Sequence, residues 1–131
     1  MLKDEYLEEL NSKLKVPHNK IQEWLLNSSI YISKYLTDYR KMLKQYKKKK
    51  KEYTDMYYEK YSYYRFKYKW ETNNTDADRM AKNDPEVTTK NNEVEEIKDD
   101  IDLLQSLIDE LKQKYWKIKA YQDYEQYLQG K

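Results

Sequence analysis

Between Arg40 and Trp70 the chain reads RKMLKQYKKKKKEYTDMYYEKYSYYRFKYKW, a mixture of cations and flat rings with no Gly, Pro or Asn to interrupt it. Twelve positive side chains (Arg40, Lys41, Lys44, Lys47 to Lys51, Lys60, Arg65, Lys67 and Lys69) stand against three acids (Glu52, Asp55 and Glu59), a net charge of +9. Interleaved with them are Tyr46, Tyr53, Tyr57, Tyr58, Tyr61, Tyr63, Tyr64, Phe66, Tyr68 and Trp70. The chemistry such a segment offers is non-covalent. Cations draw in phosphates at long range and ring faces stack on unpaired bases, the combination that single-stranded nucleic acid requires.

Both features also have plainer uses. A lysine run is often only a solvated face. Tyr39, Tyr46 and Tyr53 recur every seven residues, and Tyr57, Tyr61, Tyr64 and Tyr68 follow at spacings of four, three and four. That is one face of a helix, and a row of this kind is more often packing than ligand contact. Residues off the row, Tyr58, Tyr63, Lys47, Lys60 and Lys67, are the better candidates for contact with a strand. Lys48, Lys50, Lys51 and Arg65 add charge beside them, and Tyr64 is a further candidate contact.

Covalent chemistry has little to work with. Catalysis needs convergent groups of tuned acidity, and the chain has one histidine, His18, and no cysteine. His18 follows Pro17 just ahead of a helix, where an exposed near-cap residue is expected. A structural zinc site lacks its usual ligands. Asp99, Asp100 and Asp102 resemble a metal cluster only on paper, because neighbours on a helix point apart and a solvated acidic face is expected. With one glycine in 131 residues there is no Gly-rich phosphate loop. The expectation is a protein that is not an enzyme and carries no metal or cofactor.

The elements that must position the basic segment are helices. Apolar residues make up 38% and charged residues 38%, with two prolines, so turn formers are scarce and long helices are favoured over sheets. A lone chain so lean in core material is marginal, and burial between subunits would remedy that. Leu2, Tyr6, Leu10 and Leu14 place a short amphipathic helix over about 2–15, ended by Pro17. Asn19, with Gln22 three residues on, is the expected N-cap of a long basic helix over about 19–70. Unbroken, that helix would run about 75 Å, with bends expected at Asn27-Ser28-Ser29 or Thr37-Asp38. Residues 71–92, rich in Asn, Thr and Asp, form the expected linker, with a turn of helix around Ala77 to Lys82. From about 92 to 129, Val94, Ile97, Ile101, Leu104, Ile108, Leu111, Tyr115 and Ile118 alternate spacings of three and four, a heptad seam. This predicts a helix that packs on the first half of the long helix and on other subunits. The seam then shifts phase to Tyr121, Tyr124 and Leu128, and Gly130 is a natural stop.

Net charge is only +2, but residues 93–112 hold eight acids against two lysines, a net −6. One basic and one acidic element suggest a nucleic-acid surface on the first and a protein-facing or solubilising surface on the second. The N-terminus has no signal-like apolar block, and no stretch approaches the roughly 20 apolar residues of a membrane span. A soluble, intracellular, single-domain all-α protein is expected, without a membrane partner.

Taken end to end, the chain resembles the UvsY family, the recombination mediators of T-even-type tailed phages. The likeness lies in Glu8-Glu9-Leu10, in Tyr31-Ile32-Ser33-Lys34-Tyr35-Leu36, in the lysine-rich helix running into Tyr63-Tyr64, in the polar linker and in the terminal Gly130-Lys131. It implies a helical, ring-shaped homo-oligomer of six or seven subunits in the cytoplasm of an infected bacterium. The implied partners are single-stranded DNA, the phage single-strand-binding protein that coats it, and the phage recombinase that is loaded onto the coated strand. A Lys-x-Arg pair before two tyrosines contributes to DNA binding in the family. Here those positions are Tyr58 and Lys60, before Tyr63 and Tyr64. Lys47 to Lys51, Arg65, Lys67 and Lys69 supply charge on either side. The family's C-terminal helix is implicated in assembly, in agreement with the seam from Ile97 to Ile118. The rival reading is a structural coiled-coil phage protein, a scaffold or assembly factor whose basic arm meets an acidic partner.

Overall fold

The computed structural model describes residues 2–17 and 19–130. His18 and Lys131 lie outside the described residues. The described chain is all-α, with helices α1 (Asp4–Lys13), α2 (Ile21–Ser62), α3 (Asn74–Asn83) and α4 (Pro85–Gln129), and one π-helical turn at Tyr63–Lys67. It forms two compact units, the described residues of Met1–Lys41 with Asp100–Lys131, and Met42–Asp99.

In the first unit, α1 carries Asp4 and Glu5 in its first turn and Lys13 in its last, as the helix dipole favours. Leu10 and Leu14 are buried, together with Trp24, Ser28 and Tyr35 of α2 and Ile101, Leu104, Ile108 and Leu111 of α4. Apolar side chains of this size each stabilise the fold by about 1.5–3 kcal/mol when fully buried. Polar contacts fix the register. Tyr6 donates its hydroxyl to Asp38 at 2.7 Å, and its ring meets Tyr35 edge-on at 5.7 Å. The indole of Trp24 donates to the Lys13 carbonyl at 2.8 Å. Lys114 donates to the Leu14 carbonyl at 2.8 Å, bringing a cation to the C-terminal end of α1.

Helix α2 does not break at either expected bend. The Ser28 hydroxyl donates to the Trp24 carbonyl at 2.5 Å and the Thr37 hydroxyl to the Ser33 carbonyl at 3.0 Å. These residues satisfy their polar atoms on the preceding turn instead of opening the ladder. The cap also differs from expectation. Trp24 N–H donates to the Lys20 carbonyl, so Lys20 holds the N-cap position and Asn19 stands in the turn before it.

The stretch expected as linker is mostly helix. Asn73 caps α3, its side chain accepting from Asp76 N–H at 2.7 Å. Asp84 then opens α4, its carbonyl accepting from Thr88 N–H and its carboxylate from Glu86 N–H at 2.9 Å. Pro85 takes the first helical position, where a missing N–H costs nothing. Proline also holds the preceding Asp84 extended, at φ −63° and ψ 134°, so one residue turns the chain from α3 into α4. Val94 and Val87, seven and fourteen residues upstream of Ile101, are also buried.

Candidate nucleic-acid interface

The second unit carries the basic segment from Met42 onward, and its helix sorts the rings as their spacing predicts. Tyr57 donates its hydroxyl to Asp78 of α3. Tyr61 reaches Asn74 at 3.1 Å and Tyr64 reaches Asp84 at 2.6 Å. The carboxylate hydrogen bond and burial push the Tyr57 and Tyr64 phenols up to about 12. The row is therefore an internal seam. Off the row, Tyr58 is 62% exposed and Tyr63 44%.

Asp84 is the hub of this seam and is 7% exposed. Burial pushes its carboxyl up, but the Tyr64 hydroxyl, the Glu86 and Val87 amides and Lys60 outweigh burial and hold it below the usual carboxylate range. Lys60 lies 3.9 Å from Asp84 and 3.4 Å from Glu86. Hydrogen bonds from Tyr57 and Lys82 lower Asp78 in the same way.

The lysine run divides by face. Lys49 turns toward α4 and sits 3.4 Å from both Glu52 and Glu93, and Lys90 lies 3.6 Å from Glu52. These acids raise the Lys49 ammonium. Lys47, Lys48, Lys50 and Lys51 are exposed. Among the described residues none of these four makes an ion pair. With exposed Lys44, the positions Lys44, Lys47, Lys51 and Tyr58 follow at spacings of three, four and seven, a single outward stripe off the tyrosine row.

Beyond the stripe, α2 gives way to the π turn. Thr72 donates its hydroxyl to the Tyr64 carbonyl at 2.7 Å. Arg65 donates to the Thr72 carbonyl at 3.0 Å and to Asn74 at 2.9 Å. Tyr63, Tyr64 and Tyr68 meet edge-on, at centroid separations of 5.1 to 6.1 Å. Lys67 is exposed at the turn.

Of the residues read from the sequence as contacts, Lys47, Lys48, Lys50, Lys51, Tyr58, Tyr63 and Lys67 thus face solvent in one unit. Lys60, Tyr64 and Arg65 are held by internal partners. Phe66 and Trp70, both exposed beside Lys67 and Lys69, fall outside that reading, although their place among the cations was visible in the sequence.

The residues read as assembly contacts divide as well. Ile101, Leu104, Ile108 and Leu111 are buried within their own unit, while Ile97, Tyr115 and Ile118 are half-buried. The rings left exposed near the end of α4 are Trp116, Tyr121, Tyr124 and Tyr127. Among the described residues no helix is long and apolar enough to cross a membrane, and no group of three or more acidic or histidine side chains is placed to hold a metal ion.

No family model matches this sequence, and no curated protein matches it. Solved structures do. A crystal structure of the recombination mediator protein UvsY of bacteriophage T4 (lattice type IV) superposes with a TM-score of 0.84 at 17% identity, over 97% of this chain and 98% of that one. A second crystal form (lattice type II) gives a TM-score of 0.82 at 17% identity, over 97% of each chain. Across nearly its whole length, this chain has the fold of the phage T4 recombination mediator UvsY.

Proposed function

We propose that the chain is a recombination mediator. As a ring-shaped homo-oligomer of six or seven copies, it binds single-stranded DNA and helps load a phage recombinase onto strands coated by a single-strand-binding protein. It works without catalysis, in the cytoplasm of an infected bacterium. The observation that carries this reading is the outward stripe of Lys44, Lys47 and Lys51 with Tyr58. These cations are exposed and make no ion pair among the described residues, on a fold shared with a protein described as a recombination mediator.

The mechanism is multivalent. Each subunit offers a few phosphate contacts, and once one subunit holds the strand the rest bind it at high effective concentration. Wrapping the strand loosens the coat protein's grip and leaves room for recombinase.

The test is binding to a fluorescent single-stranded oligonucleotide across a salt series, with the mass in solution measured alongside. A defined oligomer should prefer single strands to duplex. Its log affinity should fall with log salt by roughly 0.7 per phosphate contact. Reversing charge at Lys47, Lys48, Lys50 and Lys51 should abolish binding and leave the oligomer intact. Binding with no strand preference by a monomer or dimer would instead favour a structural coiled-coil protein with a basic arm.

A further inference from the structure

Phe66 and Trp70 have no task in the fold. They are 74% and 64% exposed, the most solvent-facing rings of their unit, in a chain short of core material. Each has a cation beside it: the Arg65 guanidinium carbon is 5.2 Å from the Phe66 ring centre, and the Lys69 ammonium is 5.4 Å from that of Trp70. Lys67, exposed, lies between them in sequence.

The backbone that presents the rings is firmly held. Thr72 ties down the Tyr64 carbonyl, Arg65 bridges to Thr72 and Asn74, and three tyrosines meet edge-on beneath. A stacking platform profits from such order, because a loop that is already closed loses less freedom on binding. A protein interface explains the site less well. Burying these rings against another chain would also desolvate Lys67 and Lys69, which is costly without paired acids. A strand with unpaired bases meets both demands, since its phosphates face the cations and its bases meet the rings.

We propose that Phe66 and Trp70 stack on unpaired nucleobases while Lys67 and Lys69 hold the adjoining phosphates. The site then distinguishes single strands from duplex by their exposed bases, where the lysine stripe responds only to charge. This depends on the mediator reading for the strand itself, and assigns to the π turn the part of binding that requires bases.

The experiment compares an oligothymidine with an abasic strand of equal length, which has the same phosphates and no bases, using the full-length protein. The wild type should bind oligothymidine about 10-fold or more tighter, the scale of one or two stacked bases. Phe66→Ala with Trp70→Ala should erase that preference, leaving abasic binding, the salt slope and thermal unfolding unchanged. Phe66→Tyr with Trp70→Phe, which keeps two aromatic faces, should restore it. A wild type that binds both strands equally, or a double alanine variant that keeps the preference, overturns the proposal while leaving the mediator reading intact. A wild type that binds neither strand overturns both.

Discussion

Asp84 gathers three neighbours around one buried carboxylate. It caps α4 through Glu86 N–H, accepts the Tyr64 hydroxyl and lies near Lys60. Asp84→Ala should destabilise the fold by about 2 kcal/mol, about 1 for the cap and about 1 for the hydrogen bond, measured by denaturant unfolding. The sign of the pH dependence follows from the depressed carboxyls of Asp84 and Asp78. Their contribution is complete above the ordinary value of 3.8 and is lost as pH falls through the lower folded value. Acid unfolding should therefore release the tyrosine seam below about pH 4, and Asp84→Asn should blunt that dependence. Lys60 belongs to the same cluster. Its replacement by alanine should leave the salt slope of DNA binding nearly unchanged, whereas Lys47→Ala and Lys51→Ala should each reduce it by about 0.7. The sequence revealed that Lys60 is basic but not that it is occupied, because its acidic partners lie 24 and 26 positions away.

Among the elements, the π turn and α3 are where local pattern and outcome diverge. Residues 71–92 look like a linker because Asn, Thr and Asp are weak helix formers. The stretch also held cap signals at two places: Asn73 ahead of α3, and Asp84-Pro85 ahead of α4. Ala77 and Ala81, small enough for close approach, are buried and fix the face that α3 turns inward. The tyrosine row of α2 was legible because a spacing of three and four has one meaning on a helix. The end of α2 was not, since nothing between Ser62 and Trp70 is a helix breaker. The turn is closed from outside the segment, by Thr72 and Asn74. Arg65→Ala should raise amide hydrogen exchange across 63–67. Arg65→Lys should do nearly the same, because a lysine does not span both acceptors in the guanidinium's planar geometry.

For the molecule as a whole, the sequence showed that α4 carries a seam but not which chain fills it. A heptad specifies an apolar face, and Ile101, Leu104, Ile108 and Leu111 spend theirs inside the first unit. The surface that the fold does not consume includes Leu103, Trp116 and Tyr124, and the proposed homo-oligomer would draw on it. Two kinds of variant should therefore separate. Leu104→Ala should cost about 2–5 kcal/mol of stability through the cavity it leaves. Trp116→Ala with Tyr124→Ala should lower the mass in solution and leave the unfolding midpoint of the subunit little changed, read by light scattering and circular dichroism.

The two units also differ in how the chain supplies them. Met42–Asp99 is one continuous stretch, closed by contacts such as Tyr57 to Asp78, 21 residues apart. The other unit draws on both ends, with Leu2 donating to Asp100 across 98 residues and Lys114 to Leu14 across 100. Closing the longer span costs about 1.4 kcal/mol more in chain entropy. During synthesis the basic unit can complete itself while the ribosome is still making the rest of α4. The apolar residues of α1 have α2 beside them early but must wait for Ile101 to Leu111, which are made late. Until then that side of the unit is open to solvent, and the nascent chain is at its most vulnerable to aggregation in the very unit that later holds the buried seam.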